Sequence, residues 1–393
     1  MVDASVDVLL IGGGVASAAC AEELRVQGFS GSILLAGREL DPPYERPPCS
    51  KGYLRGVSTR EDALYRAPAF YAEQGIDLRT RANVMKLDPA ARTARVGKEE
   101  VVFDRALVAT GANVRRLPVA GAELEGIHYL RALGNADAIR RDLEGAERAV
   151  LVGGSYIGCE VAATLTELGV ACTVVMQEEL VLQRHFGDTA GRWFQDRLEE
   201  RGVEIVPSVK LAGFAGEGER VERVVLADGR ELPADLVVMG TGAVPDVMLA
   251  RSAGLELGET GGVRCDARLR TSAAGVWAGG DMCEYESVLH GRRLRVEHFT
   301  VAIEQGRTAA RDMLGLGDSG HRDVPYFWSD LADWLTLEYV GPAAAWDEEE
   351  LRGSLEDGTW AILYRQAGKV VGGLSVGRRA DLKEAREAIA ASG

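Results

Sequence analysis

The sequence predicts an α/β fold in which two similar βαβ units are followed by a smaller α+β segment. The first unit begins with an apolar run of strand length over residues 6–11, which ends in three consecutive glycines. A helical pattern follows from Val15 to about Val26, and a second buried strand covers residues 32–36. A strand, a glycine-rich turn, a helix and a strand within about 30 residues are typical of a βαβ unit.

The same arrangement returns in the middle of the chain. A strand over residues 149–152 runs into Gly153-Gly154-Ser155, and a helical pattern from Tyr156 to Leu168 ends at Gly169. The next strand covers residues 171–176. This predicts an internal duplication of architecture rather than a short-period repeat.

The rest of the chain contains further strands that end in glycine, and its composition then changes. Apolar runs end at Ala109-Thr110-Gly111, at Gly240-Thr241-Gly242 and at Gly279-Gly280-Asp281, and a helix is predicted over residues 302–314. Residues 326–340 are rich in aromatic side chains. Two strand-like runs, 360–364 and 369–371, and a helical pattern over 380–391 then predict a small α+β domain.

The composition excludes two classes of partner. The chain has 393 residues with 45 Lys and Arg against 60 Asp and Glu, for a formal net charge of −15. Nucleic acids and anionic membrane surfaces both need a basic footprint, so neither is expected as a partner. The acidic start of the chain and the short apolar stretch after it resemble neither a signal peptide nor a membrane span, which predicts a cytoplasmic location.

The cysteines predict neither a metal site nor a disulfide framework. The six lie at positions 20, 49, 159, 172, 265 and 283, and no two are spaced as CxxC. Scattered cysteines are typical of a reducing compartment. We therefore expect no bound metal, and we interpret Cys49 as a packed, inert residue.

The two glycine turns are expected to approach the phosphates of dinucleotides. A glycine turn between a strand and a helix lets backbone N–H groups meet a pyrophosphate at the positive end of the helix. The first turn has Gly12, Gly14 and Ser17 in the GxGxxG pattern, and the second has Gly153, Ser155 and Gly158. Two such turns in matching βαβ contexts predict two Rossmann-like domains, one for each of two dinucleotides.

These features together resemble the FAD-dependent pyridine nucleotide-disulfide oxidoreductases of the ferredoxin reductase type. Residues 44–51, Tyr-Glu-Arg-Pro-Pro-Cys-Ser-Lys, are similar to the Y-x-R-P-P-L-S-K stretch of the reductases of putidaredoxin, rubredoxin and biphenyl dioxygenase, and of apoptosis-inducing factor. Val-Glu-His at 296–298 and Phe-Trp-Ser-Asp at 327–330 match the same group. The resemblance runs from about residue 6 to the end of the chain.

The resemblance implies a domain organisation and a reaction. An FAD domain would comprise residues 1–115 and 248–318, an NAD(P)H domain residues 116–247, and a C-terminal reductase domain residues 319–393. Hydride would pass from NADH to the flavin, and single electrons would then pass to a small [2Fe–2S] ferredoxin or a similar acceptor. The implied cofactors are FAD and NADH, with NADPH left open, and the expected state is a monomer or a weak homodimer.

Two alternative functions and one difficulty stay open at this point. The alternatives are a redox-sensing protein like apoptosis-inducing factor, and an NAD(P)H oxidase or a quinone or thiol reductase. The difficulty is that ferredoxins of this kind are usually acidic, as is this chain, so a local basic patch is required. The candidates for it are Arg292, Arg293, Arg295, Arg378 and Arg379, which are equally consistent with a solvated surface.

The resemblance also implies individual site residues. The catalytic set is Lys51, Glu160 and Trp328. The residues implied to bind FAD are Gly12, Gly14, Ser17, Arg38, Glu39, Arg46, Lys51, Val84, Ala109, Thr110, Gly111, Asp281, Glu297 and His298. Those implied to bind the nicotinamide nucleotide are Gly153, Gly154, Ile157, Gly158, Glu160, Glu178, Arg184, Thr241 and Gly242.

Lys51 and Glu160 are expected to form an ion pair beside flavin N5. An unpaired charge in a low-dielectric seam is costly, so each requires a partner. A cation at that place would also stabilise negative charge on reduced flavin. Trp328 is expected against the flavin, at the seam between the C-terminal and FAD domains.

The chain departs from the family pattern at two ribose positions. In the first unit Arg38 stands where an acidic residue is usual, so either Glu39 binds the ribose or Arg38 stacks on adenine. In the second unit Met176 takes the acidic position, with Glu178 and Glu179 just beyond it. These nearby acids, and the lack of an arginine at position 176, favour NADH.

Overall fold

A computed structural model describes residues 3–317 and 320–392. The strands are β1 (Ala4–Ile11), β2 (Ile33–Ala36), β3 (Ile76–Arg79), β4 (Val84–Asp88), β5 (Thr93–Val96), β6 (Glu99–Val108), β7 (Ala112–Val114), β8 (Ile127–Tyr129), β9 (Arg148–Val152), β10 (Ala171–Val175), β11 (Glu204–Val206), β12 (Leu211–Ala215), β13 (Arg223–Leu226), β14 (Glu231–Pro233), β15 (Leu236–Met239), β16 (Ala243–Pro245), β17 (Val263–Cys265), β18 (Val276–Ala278), β19 (Cys283–Ser287), β20 (Arg292–Leu294), β21 (Tyr326–Leu331), β22 (Leu335–Val340), β23 (Glu348–Ser354), β24 (Thr359–Gln366) and β25 (Lys369–Val376). The α-helices are α1 (Val15–Val26), α2 (Gly52–Arg55), α3 (Pro68–Glu73), α4 (Leu133–Asp142), α5 (Tyr156–Glu167), α6 (Gln183–Glu200), α7 (Met248–Ser252), α8 (Phe299–Met313) and α9 (Arg379–Ala391). Short 3₁₀ turns cover Pro47–Ser50 and Glu61–Ala63.

The first sheet joins two distant stretches of chain. Its order is β3-β2-β1-β6-β5-β4, and β18 pairs in parallel with the end of β6. Strands β3, β2, β1 and β6 are parallel, as a βαβ unit requires, while β4 and β5 form an antiparallel edge. Helix α8 packs on α1 so closely that a Cβ at Gly306 would lie 2.1 Å from the Ala16 carbonyl oxygen.

The second sheet is entirely parallel, with the order β11-β10-β9-β15-β8. Its three central strands, β10, β9 and β15, are mostly buried and apolar, as expected of parallel strands covered on both faces. Both sheets therefore present the ends of their first parallel strands, β1 and β9, to a glycine turn and a helix. Ligands bind at such carboxyl ends in open α/β sheets.

The C-terminal segment forms an antiparallel sheet with the order β21-β22-β25-β24-β23, and α9 follows it in the chain. Leu382, Ala385 and Ile389 of α9 pack with Val340 and Leu363 of the sheet. The opposite side shares a core with α5 and α6 of the second unit. The fold class predicted from the sequence, two Rossmann-like units and a small α+β segment, is confirmed.

Some elements differ from the predicted bounds. Helix α8 begins at Phe299, three residues before the predicted start, because His298 in extended conformation is its N-cap. Helix α6 was not predicted at all, because it is interrupted at Gly187, whose φ is +79°. The predicted boundary between residues 318 and 319 lies outside the described residues.

Within residues 3–317 and 320–392, no helix combines the length and the apolar character needed to cross a bilayer.

Candidate functional site

A large cavity lies where the two glycine turns and the C-terminal sheet meet, with a volume of about 1120 Å³. Sites for one small molecule usually measure about 300–1,000 Å³, so this cavity has room for more than one such ligand. The predicted site residues that line it are Gly12, Gly14, Arg38, Glu39, Arg46, Lys51, Val84, Ala109, Thr110, Gly111, Ile157, Glu160, Arg184, Gly242, Asp281, Glu297, His298 and Trp328.

The β1–α1 turn has the form of a phosphate cradle. Gly12 has φ +117°, and a Cβ there would lie 2.1 Å from the Ala109 carbonyl oxygen. Gly14 is the N-cap of α1, makes no side-chain cap, and has open space where a Cβ would stand. The first N–H groups of α1 thus remain available at the wall of the cavity, where Val15 and Ala16 also lie. This geometry fits the pyrophosphate of FAD.

Ser17 does not take part in that cradle. It is fully buried and absent from the cavity wall, and its hydroxyl has no hydrogen-bond partner. The contact between Ser17 and the FAD pyrophosphate stays a prediction. The small size of Ser17 also serves the packing of α1.

The second glycine turn is packed as tightly as the first. A Cβ at Gly153 would lie 2.4 Å from the Gly240 carbonyl oxygen, and one at Gly158 would lie 1.9 Å from the Gly153 carbonyl oxygen. Gly153, Gly154 and Gly158 bring α5 close to the sheet but do not line the cavity. Thr241 also lies outside it, where its hydroxyl donates to the Arg115 carbonyl oxygen over 2.7 Å. Ligand contact by these four residues stays a prediction, and in the structure they serve packing and loop anchoring.

The ribose position of the second unit is occupied by Met176. A Cβ at Gly154 would lie 2.2 Å from its Sδ, so the thioether covers the turn. Glu178 does not line the cavity either. It pairs over 2.5 Å with Arg184, whose side chain is 74% exposed and reaches the cavity wall.

In the first unit, Arg38 and Glu39 are both held by protein partners. Arg38 Nη1 lies 2.9 Å from Asp246 Oδ2, and Glu39 pairs with Arg46. Burial alone would raise the pKa of Glu39, but the hydrogen bonds from Arg46 and Tyr44 hold that pKa below its usual value. Glu39 therefore stays ionised and fixes Arg46 at the cavity.

The predicted ion pair between Lys51 and Glu160 is present, with Nζ 2.5 Å from Oε1. Two further donors form hydrogen bonds with the carboxylate of Glu160. The hydroxyl of Ser50 donates to Oε2 and that of Ser329 to Oε1, each over 2.5 Å. The pair lies in a seam, with Lys51 12% and Glu160 6% exposed at the side chain. Sequence reasoning missed both serines, although each is adjacent to a residue that it singled out.

Asp281 is paired with Arg131, a residue that sequence reasoning also missed. Arg131 lines the cavity and stands just before α4, and its carbonyl oxygen accepts from Arg46 over 3.0 Å. No glycine turn or family motif marked it in the sequence. An arginine between an aspartate and the cavity is well suited to hold a phosphate or a ribityl chain.

An aromatic group closes the cavity on the side of the C-terminal sheet. The ring of Phe327 lies 4.5 Å from that of His298 and 5.0 Å from that of Tyr156. Burial lowers the pKa of His298 to about 4, so the imidazole is neutral near pH 7. Trp328 faces the other way and packs edge-on against Phe299 of α8, with 5.9 Å between ring centroids. It lies at the predicted seam, between β21 and α8, and its contact with the flavin stays a prediction.

The candidate basic patch is partly neutralised by ion pairs. Arg295, Arg378 and Arg379 pair with Glu297, Asp381 and Glu338 respectively. Arg292 and Arg293 instead donate to the carbonyl oxygens of Pro342 and Cys265. Three of the five candidate arginines are therefore ion-paired, which weakens the basic patch that the hypothesis needs.

Cys49 lies at the cavity wall but is only 3% exposed. Burial raises the pKa of its thiol to about 12, so it stays protonated near pH 7. This agrees with the interpretation of Cys49 as an inert packing residue.

Comparison with known proteins agrees with this geometry. Residues 6–306 match the family model of the pyridine nucleotide-disulphide oxidoreductases, and residues 326–393 match the reductase C-terminal model. The chain is 33% identical to a ferredoxin–NAD(P)(+) reductase of Sphingomonas sp, over 94% of this chain and 89% of the relative. It is 32% identical to the putidaredoxin reductase of Pseudomonas putida, over 98% and 92%.

Solved structures lead to the same result. The ferredoxin reductase of the CYP199A2 system from Rhodopseudomonas palustris superposes with a TM-score of 0.91 at 34% identity, covering 95% of this chain and 92% of that one. The covalent putidaredoxin reductase–putidaredoxin complex gives 0.93 at 31% identity, covering 100% and 94%. With two nucleotide-binding units, an FAD-shaped cradle and these matches along its length, the chain belongs to the FAD-dependent pyridine nucleotide-disulphide oxidoreductases.

Proposed function

We propose that this oxidoreductase passes electrons from NADH through FAD to a small [2Fe–2S] ferredoxin. The observation that carries the proposal is the arrangement of the cavity, in which the β1–α1 cradle, the second unit and Trp328 of the C-terminal sheet share one space. The ferredoxin reductases that the chain resembles over nearly its whole length support the choice of acceptor.

The proposal gives each part of the chain a task. Bound FAD would supply the redox chemistry, by accepting a hydride and releasing electrons singly. Gly12, Gly14 and the N-terminus of α1 would hold its pyrophosphate, and Asp281 with Arg131 its ribityl side. Lys51, paired with Glu160, would place its ammonium group at the seam between the first and second units.

The proposed domains follow the predicted division. Residues 1–115 and 248–318 would form the FAD domain, residues 116–247 the NAD(P)H domain and residues 319–393 the C-terminal domain. The pairing of β18 with β6 supports joining the two FAD segments. A cytoplasmic location is part of the proposal as well, because all six cysteines are free.

The test is steady-state oxidation of NADH by the purified, FAD-loaded chain. Putidaredoxin, the partner in one structure that this chain resembles, serves as the probe acceptor alongside other small [2Fe–2S] ferredoxins. We expect at least one ferredoxin to raise the rate of NADH oxidation about tenfold or more above the rate with oxygen alone. Equal rates with and without every ferredoxin, or efficient turnover of a quinone in their place, would reject the proposed acceptor.

A further inference from the structure

The carboxylate of Glu160 joins three parts of the fold that are distant in sequence. Glu160 belongs to α5 of the second unit and is 5% exposed. Ser50 and Lys51 come from the first unit, and Ser329 comes from β21 of the C-terminal sheet. The ion pair therefore involves three units, because Ser329 of the C-terminal sheet donates to Oε1, the same oxygen that Lys51 contacts.

The number of donors matters because the pair is buried. A buried ion pair stabilises a structure only when further hydrogen bonds satisfy its remaining atoms. Hydroxyl donors to a carboxylate are charge-assisted, and they also restrict its rotation. The hydrogen bonds from Ser50 to Oε2 and from Ser329 to Oε1 fix the plane of the Glu160 carboxylate. The orientation of that plane in turn sets where Lys51 Nζ meets Oε1.

The alternation of β21 explains why the donor comes from this strand. Successive side chains of a strand point to opposite faces, so Phe327 and Ser329 share one face while Trp328 lies on the other. Phe327 packs against Tyr156 at the start of α5, and Ser329 reaches Glu160 one turn further along that helix. Trp328 packs against Phe299 on the opposite side.

We propose that Ser329 is a positioning residue, which holds the Glu160 carboxylate toward Lys51 and so makes the geometry of the Lys51–Glu160 pair depend on the docking of the C-terminal sheet. This inference rests on the proposed function and assigns a residue to its site. Ser329 itself acts only through Glu160.

The first test is the Ser329→Ala variant, assayed with NADH and ferricyanide as a one-electron acceptor. We expect the turnover number to fall about tenfold, the value of one hydrogen bond to a charged group, with a smaller change in KM for NADH. In a Glu160→Ala background, the same substitution should change the rate by less than about twofold, because its target is gone. Additive losses in the two backgrounds would show a general structural effect and overturn the proposal.

The matched control is Ser375→Ala. Ser375 is a fully buried serine of the same sheet, and its hydroxyl accepts from the Arg378 backbone N–H over 2.9 Å, away from Glu160. Its rate should stay within about twofold of the parent. Ser329→Thr, which keeps the hydroxyl, should recover most of the activity that Ser329→Ala loses.

A second measurement does not depend on turnover. Acetic anhydride labelling of the FAD-loaded protein, followed by peptide mass spectrometry, reports how well Lys51 is held, and the exposed Lys86 and Lys98 serve as internal references. We expect Ser329→Ala to raise the relative labelling of Lys51 at least about twofold and Ser375→Ala to leave it unchanged. Unchanged labelling in Ser329→Ala would overturn the inference. A chain that reduces ferricyanide but no ferredoxin would reject the proposed acceptor and leave this result intact.

Discussion

The side chain of Glu178 is expected to set the preference between NADH and NADPH. It stands beyond β10, two residues after the methionine at the usual acidic position, and it neutralises Arg184 over 2.5 Å. A 2′-phosphate needs an available cation, and here the nearest arginine at the cavity wall already has a carboxylate partner. NADH, which carries no such phosphate, avoids the repulsion.

Glu178→Gln is therefore expected to shift the preference toward NADPH. Removing the carboxylate frees Arg184 and removes a negative charge, so the ratio of kcat/KM for NADPH over NADH should rise by about tenfold, equivalent to ~1.4 kcal/mol. Steady-state kinetics with both nucleotides measure it. Glu179→Gln is the matched control, because Glu179 is the exposed neighbouring acid, and it should leave the ratio nearly constant. An unchanged ratio in Glu178→Gln would remove Glu178 from the specificity site.

Residues that only the structure identified share one property, namely that their partners are remote in sequence. Arg131 meets an aspartate 150 residues away, and Ser329 meets a glutamate 169 residues away. Arg131 lies in no motif of the sequence. Ser329 lies in the Phe-Trp-Ser-Asp segment, but a sequence motif reports neighbours within a few positions and does not show that this hydroxyl reaches Glu160. Ser17 is the reverse case, because its position in a motif predicts a ligand contact, while its side chain is fully buried and does not line the cavity.

At the scale of elements, the β1–α1 turn is the most constrained part of the site. Its bounds were predictable, because an apolar strand, a glycine turn and an alanine-rich helix are all local signals, and α1 spans Val15–Val26 as predicted. Helix α6 lacked such a signal, since Gly187 at φ +79° interrupts it against Trp346 and Glu349 of the C-terminal segment. A helix shaped by tertiary contact is not readable from periodicity alone.

Gly12→Ala is expected to abolish this cradle. Position 12 has φ +117° and no room for a Cβ beside the Ala109 carbonyl oxygen, so the substitution should cost roughly 3 kcal/mol or more and displace the turn. The FAD content of the purified variant, read from its absorption spectrum, should fall sharply, and thermal unfolding should occur at lower temperature.

The control for this prediction is Gly134→Ala. Gly134 lies in the first turn of α4 with no atom within 4 Å of its Cβ position, so the change should be neutral or stabilising by up to ~1 kcal/mol. A Gly12→Ala protein with a full complement of FAD would contradict the assignment of the β1–α1 turn to the pyrophosphate.

At the scale of the whole molecule, electrostatics oppose the proposed partner. The chain carries a net charge of −15, and Arg378 and Arg379 near the C-terminal sheet are paired with carboxylates. Tyr326, Glu338 and Arg379 form one hydrogen-bonded group on the strand pair that bears Trp328. Association with an acidic ferredoxin would therefore depend on complementary shape and apolar contact more than on long-range attraction.

This predicts an unusual dependence on salt. For oppositely charged partners, screening slows association, whereas for two acidic proteins it relieves repulsion. We expect kcat/KM for an acidic ferredoxin to rise or stay constant as salt increases from about 10 mM to about 200 mM, where the screening length drops below ~10 Å. The rate with ferricyanide, measured over the same range, corrects for effects on the chain itself. A steep fall with salt would reveal an attractive basic surface and contradict the prediction.

The sequence by itself determined the fold class, the order of the three parts and the family, because these depend on local patterns: buried strands, glycine turns and the motif at residues 44–51. It also predicted the Lys51–Glu160 pair, since a buried charge demands a partner and the family motif limits the choice. Tertiary packing was needed to show which predicted residues reach the cavity, that Ser329 and Arg131 line it, and that three of the five candidate arginines are ion-paired. The physical reason is that hydrogen bonds and ion pairs form between atoms within about 3 Å in space, and the chain brings those atoms together only when separate units pack against one another.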